Sequence, residues 1–386
     1  MMKTAPTIAL LLLLCCSCQT EPASTRKGSQ LFSDVTSFID ILEFEDVFPL
    51  EQNDHAMFEA PNTVVMTHSG FLMTNDRGTK ILRYHRDGGF DRTVAPNGSG
   101  PGEVQRIAFG TRIFDNRVAF WDLYKGAILV FEPDGTFVFD LNINAKLNPH
   151  QMNATGASFA WPEPDTLILG NVTSQKQPDI QAVALKVDWD TPKRVRGVAL
   201  DRVLSLKDTN HEAIFGSKIN TTLTQVGDHF WLGSAHFSSF ARLNPYEKGK
   251  PTPYQAIKFP QALTPKDYEA IEPTDHKARF TLINSKGTIF NIMAFDHLVF
   301  VQVGVMGFVP FDTSGRQLEN QRIICRISRL VDTYQGLVMF VTPRKNIGNL
   351  ERLFKVNLFE DSPHDLGDDD QPYVVLMRLR KKFQAP

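Results

Sequence analysis

Phe71-Leu-Met-Thr-Asn-Asp76, followed by Lys80-Ile-Leu-Arg-Tyr-His-Arg-Asp-Gly-Gly-Phe90, is repeated in outline by Val118-Ala-Phe-Trp-Asp122, followed by Gly126-Ala-Ile-Leu-Val-Phe-Glu-Pro-Asp-Gly-Thr-Phe137. Each copy holds a short apolar strand, an Asp, a gap, an alternating strand, an Asp-Gly turn and a Phe. Asp-Gly supplies the positive φ that a tight hairpin needs. Asp76 and Asp122, at the ends of their strands, are expected to accept hydrogen bonds from backbone amides of the next turn.

Working outward, the same strand–turn–strand opening recurs at 63–75, 110–122, 156–171, 220–234, 287–302 and 327–341. Third strands are expected at 80–85, 127–132, 182–189, 237–243, 306–311 and 352–358, and outer strands near 90–94, 136–141, 194–200, 254–259, 318–324 and 373–378. Six four-stranded antiparallel units of about 53 residues each read as an all-β chain, a single six-bladed β-propeller. Extra segments at 201–217 and 261–286 decorate it, the second with a helix start at Thr264-Pro-Lys-Asp267. A strand at 37–44 is expected to pair with the last blade and close the ring, since open sheet edges invite pairing with other chains.

Composition agrees with a packed domain. The chain has 386 residues, 42% hydrophobic, and 41 Lys+Arg against 43 Asp+Glu. The formal net charge of −2 argues against a nucleic-acid partner, which needs a basic face for phosphates. There are 29 Phe against 7 Tyr and 4 Trp. Phe is suited to packing between sheets because it has no polar group to satisfy.

The first residues stand outside this repeat. Lys3 precedes an apolar run from Ile8 to Leu14 that passes into Cys15-Cys16-Ser17-Cys18. That is the form of a secretory signal and is too short to span a membrane. Leu14-Cys15-Cys16-Ser17-Cys18-Gln19 resembles a bacterial lipobox, which implies cleavage after residue 17 and lipidation of Cys18. Small Ser17 favours Cys18. Cys15, standing where Leu is usual, keeps Cys16 as an alternative. Residues 18–35 then form a polar, flexible tether and residues 36–386 the propeller. Cys325, among Ile residues, reads as a small core hydrophobe.

The run Leu82-Arg-Tyr-His-Arg-Asp-Gly-Gly-Phe-Asp-Arg-Thr-Val-Ala-Pro-Asn-Gly-Ser-Gly-Pro-Gly-Glu103 resembles the first-blade signature of Bacteroidetes lipoproteins with a six-bladed, TolB-like β-propeller. Its heart is Gly98, Gly100, Pro101, Gly102 and Glu103; Val104 follows where an aromatic residue is common. The resemblance implies a fold and an envelope location, and carries no activity with it. Gln19 in place of Asp after the lipidated Cys favours an outer-membrane anchor facing the periplasm, with surface exposure the less supported orientation.

Residues 98–103 join one blade to the next, so two readings stand: an interblade turn with Glu103 as a local acceptor, and a ligand-contacting loop. Trp121, Tyr124 and Trp161 lie near turns and are candidate aromatic contacts; the rival reading is packing between blades. Catalytic candidates are thin. His211-Glu212 lacks the second His of a zinc peptidase, Gly233-Ser234 lacks a strand–helix elbow, and His229, His276 and His297 read as turn residues. The run Asp365-Leu-Gly-Asp368-Asp-Asp370 and the tail Arg378–Lys382 read as solvated charge. No catalytic residue, metal ligand or cofactor is assigned. The preferred function is a cell-envelope binding or scaffolding module for a protein, peptide or glycan, anchored to the membrane by its lipid. The alternative is a metal-dependent lactonase- or lyase-like hydrolase using the central channel. That needs His, Asp, Glu or Asn at inner-strand starts, where this chain is read to place Thr63, Thr111, Ser158, Thr221, Thr288 and Ser328.

Overall fold

The computed structural model of the chain describes residues 38–58, 61–143, 158–172, 179–187, 195–196, 206–207, 221–227, 229–234, 239–243, 252–256, 289–295, 297–303, 307–318, 323–324, 330–354 and 371–384, with single residues 275, 278 and 281. The signal, Cys18 and the tether lie outside the described residues. So do Cys325, His211, His276, residues 264–267, and the acidic run 365–370.

All-β architecture follows from the repeat. The first sheet holds β2 (Val64–Thr67), β3 (Gly70–Thr74), β4 (Ile81–Tyr84) and β5 (Phe90–Ala95), in sequential antiparallel order. The second repeats it with β6 (Ile107–Arg112), β7 (Val118–Asp122), β8 (Ala127–Phe131) and β9 (Phe137–Asn142). Asp-Gly does its expected job in the first hairpin. Asp87 accepts the Gly89 amide at 3.0 Å. Gly88 has φ +88, and a Cβ there would lie 2.1 Å from the Pro49 carbonyl oxygen, so no other residue fits.

The third sheet is β10 (Ser158–Glu163), β11 (Thr166–Val172), β12 (Asp179–Val187) and β13 (Val195–Arg196), with β14 (Leu206–Lys207) beside β12. The fourth is β15 (Thr221–Val226), β16 (His229–Ser234), β17 (Ser239–Leu243) and β18 (Thr252–Ala256). The fifth is β19 (Ile289–Phe295), β20 (Leu298–Val303), β21 (Gly307–Asp312) and β22 (Ile323–Ile324). The last sheet joins β23 (Leu330–Tyr334), β24 (Leu337–Pro343) and β25 (Pro372–Leu379) to β1 (Leu42–Pro49), from the other end of the chain. The inner strands β2, β6, β10, β15, β19 and β23 each touch the next, and β23 returns to β2. The sheets are thus arranged as a β-propeller.

Three expectations are corrected. Five plain four-stranded blades stand where the sequence predicts six. In the third sheet β12 outruns β13, which pairs only with Lys186 and Val187, and β14 takes the open edge at Asp179 and Ile180. Residues 352–358 were expected to form the last blade's third strand. Instead, 347–354 form a short α-helix, α1 (Ile347–Phe354), and β25 is the third strand. The N-terminal strand does pair with the last blade, but over Leu42–Pro49 and as its fourth strand rather than an addition to four.

Packing lies between neighbouring sheets. Val65, Leu72, Ile81, Phe120 and Phe131 form one cluster between the first two sheets, and Trp121, Ile128, Phe159, Trp161 and Leu167 the next. Phe71, Phe120, Phe131, Phe230, Phe240, Phe300, Phe311 and Phe340 are all buried. Each such ring contributes roughly 1.5–3 kcal/mol by leaving water.

Candidate functional site

In a sequential antiparallel blade, turns after the first and third strands share one end, and turns after the second and fourth share the other. Residues 98–103, after β5, therefore lie at the same end as Leu123–Gly126, after β7. One carboxylate ties the two together. Asp122 is fully buried, and it accepts the amides of Gln105 (2.6 Å), Arg106 (3.2 Å), Tyr124 (3.0 Å) and Lys125 (3.1 Å). The expected role of Asp122 is thus met, with the preceding interblade turn added. In the first blade the role falls to Asn75 rather than Asp76: its Oδ1 accepts the Thr79 and Lys80 amides at 2.7 and 3.2 Å.

Glu103 turns into its own loop. Its Oε2 accepts the Gly100 amide at 2.7 Å, and a Cβ on Gly98 would lie 2.1 Å from that oxygen. Gly98 and Gly100 are therefore the floor on which the carboxylate rests. Gly102, at φ +74, passes beside the Phe137 ring. Lys125 Nζ closes the junction by donating to the Gly100 and Glu103 carbonyls and to Asp140, each at 3.0 Å. The motif is built as an interblade junction; Pro101 is its exposed corner.

The aromatic candidates separate. Trp121 (0% exposed) and Trp161 (1%) are core residues, so neither is an aromatic contact at the surface. Trp161 sits edge-on to Phe114 and Phe139 and donates to the Pro164 carbonyl at 3.2 Å. Tyr124 is 65% exposed, with the Arg106 guanidinium 5.8 Å from its ring centre.

Sequence reasoning missed a cluster at the inner strands. Arg112, the last residue of β6, reaches past β2 to β23. Its Nη1 donates to Asp332 Oδ2 at 2.6 Å and to the Met66 carbonyl at 3.0 Å, while Nη2 donates to the Thr333 carbonyl. Asp332 Oδ2 also accepts the Met66 amide at 2.7 Å, and the guanidinium lies 4.7 Å over the Tyr334 ring. Thr224 donates to the Ile292 carbonyl at 2.8 Å and Thr333 to the Ala294 carbonyl at 3.4 Å. An inner strand has a partner on one side only, and these side chains satisfy groups on its free edge. The available signal was a charged residue in each of two short apolar strands, Ile107–Arg112 and Leu330–Tyr334.

Of the residues read as inner-strand starts, Ser158 and Thr221 open β10 and β15, and Thr63 immediately precedes β2. Thr111 is corrected: β6 begins at Ile107, which puts Thr111 near its end. Thr288 and Ser328 lie outside the described residues. His229 Nε2 lies 2.9 Å from Arg242 Nη2. Among the described residues, no three His, Cys, Asp or Glu side chains converge as a metal site.

No family model matches the chain. No curated protein matches it either. Solved structures do. An exported protein of Bacteroides fragilis aligns at a TM-score of 0.58 and 13% identity, over 90% of this chain and 98% of that one. A DUF4221 family member from Bacteroides vulgatus aligns at 0.49 and 9% identity, over 88% and 98%. A gluconolactonase of Xanthomonas campestris aligns at 0.45 and 8% identity, over 88% and 99%. At such identities the likeness concerns the fold alone, and the first of these supports the β-propeller.

Proposed function

We propose that this protein is a lipid-anchored cell-envelope module whose propeller binds or scaffolds a protein, peptide or glycan partner. In this reading the third sheet with its extra strand is the sixth blade, Cys18 carries the lipid, and the chain is held at the outer membrane facing the periplasm. The observation that carries the binding reading is the use of the inner-strand polar groups. Arg112, Asp332, Thr224 and Thr333 are engaged with backbone and with one another. Chemistry-bearing side chains that a channel enzyme would hold ready for substrate serve here to close the ring. Among the described turns, Arg77, Asp87, Ser99 and Asp134 remain as exposed surface.

Two measurements test this. Cys18→Ala is expected to move the protein from the membrane fraction to the soluble fraction. Retention with lipid labelling would assign the anchor elsewhere, with Cys16 next. For the binding reading, photo-crosslinkers at exposed Arg77 and Ser99, and at exposed Asp87 and Asp134 on the opposite end, are introduced in cells. Cross-links concentrated on one end are expected. Their absence from both ends, with chelator-sensitive turnover of a lactone by the purified protein, would replace it by the hydrolase reading.

A further inference from the structure

We propose that the Arg106–Tyr124 pair, with Arg77 on the adjoining turn, is a docking surface for an acidic segment of a protein partner. This rests on the binding reading and adds to it a place and a partner chemistry.

Three loops from two blades meet here through their backbones. Ile107 donates its amide to the Gly78 carbonyl at 2.7 Å, and Leu123 donates to the Arg106 carbonyl at 2.8 Å. Arg77, Arg106 and Tyr124 each adjoin one of these bonded residues. The last two sit on turns fixed by the buried Asp122 carboxylate, which accepts the amides of both. A surface Tyr on a rigid support loses little conformational freedom when it is covered, which makes it a good anchor.

Charge sets the partner. Arg77 and Arg106 are exposed, and among the described residues neither forms an ion pair. The nearby carboxylates are largely engaged: Asp122 by four amides, Glu103 by Gly100, and Asp140 by Lys125. Only Asp76, beside Arg77, is an exposed carboxylate on these turns. Two exposed guanidiniums outside any ion pair, one of them donating to the Tyr124 hydroxyl at 3.5 Å beside its ring, complement carboxylates, which Arg grips with paired hydrogen bonds. Shape favours a protein over a sugar. A ring 65% exposed stands out from the surface, whereas small ligands are held in concave sites.

The test uses the full-length lipoprotein in detergent, with poly-L-glutamate, polygalacturonate and poly-L-lysine as labelled probes. Binding to poly-L-glutamate is expected, weakening as salt rises from about 50 to about 300 mM. Tyr124→Ala and Arg106→Glu should each weaken it roughly tenfold, as anchor residues do. Tyr124→Phe should retain it, and Arg92→Glu at the opposite end should leave it unchanged. Unchanged thermal melts would establish that the variants stay folded, as expected where only backbone groups of residues 106 and 124 reach Asp122. Wild-type-like binding by both variants, no binding of poly-L-glutamate, or binding of polygalacturonate alone would each overturn the proposal. The cross-linking pattern would still decide the binding reading independently.

Discussion

Replacing Asp122 by alanine leaves the amides of Gln105, Arg106, Tyr124 and Lys125 without their acceptor, in a place where the carboxylate they lose was wholly buried. Unsatisfied amides each cost about 1–3 kcal/mol, but turns at a surface can reach water, so a total near 3 kcal/mol is expected. Asp122→Asn keeps the Oδ1 position, which serves three of the four donors, and gives up the Oδ2 acceptor of the Gln105 amide, so it should lose less than half as much. Urea unfolding of the two variants against wild type checks this; equal midpoints for all three would mean that the junction is held by other contacts. This residue was legible because an Asp at a strand end before a turn has few other jobs. Its counterpart Asp76 was misassigned by one position, because β3 ends at Thr74 and brings Asn75 to the turn. For Trp121 and Trp161 the sequence offers both a surface contact and packing between blades, and the structure decides for packing. Their closeness to turns is local, whereas their burial comes from the neighbouring sheet.

Among the elements, β1 shows most clearly what local sequence hides. Its pairing with β25, from Leu42↔Leu379 to Pro49↔Tyr373, joins residues more than three hundred positions apart. The alternation of Leu42, Phe44 and Phe48 marks a strand but names no partner. The misplaced last strand has a similar cause. Ile347, Leu350 and Phe354 repeat at helical spacing within α1, yet the following Val356 and Leu358 suggest a strand, and the two patterns overlap. Arg378 clamps β1 by donating to Glu45 at 2.9 and 2.6 Å. This bond holds the Glu45 carboxyl below its ordinary value of 4.5. A carboxylate with a lowered folded pKa stabilises above the unfolded value and loses that effect as pH falls through the folded one. The pair is exposed, so the effect is small. Glu45→Gln should melt slightly lower than wild type near neutral pH, and the difference should vanish as the pH falls below 4.5. A gap that stays constant down to about pH 3 would show that Glu45 acts through packing rather than charge.

At the scale of the whole molecule, the first and last described strands meet in one sheet, and the seam between that sheet and the first is where the ring must be held shut. Contacts within a blade form from neighbouring segments, but the seam pays loop-closure entropy over almost the entire chain. The repeat in the sequence foretold that a ring exists; it could not show which side chains lock it, since Arg112 and Asp332 are 220 positions apart. Arg112 touches all three inner strands at the seam: β6 carries it, β2 offers the Met66 carbonyl, and β23 offers Asp332 and the Thr333 carbonyl. Lysine cannot reproduce that fork, so Arg112→Lys should behave nearly as poorly as Arg112→Ala. Alanine leaves Asp332 partly buried with only backbone amides as donors, at a cost of about 2 kcal/mol, and lysine offers one ammonium that cannot serve Asp332 and the Met66 and Thr333 carbonyls in the same fork. The location of the loss is the sharper expectation. Opening should begin at the seam, so amide hydrogen exchange should accelerate in β1, β2 and β23–β25 while β15–β17 keep their protection. A uniform acceleration round the ring would mean that the propeller opens as one unit and that Arg112 adds stability without locking the seam.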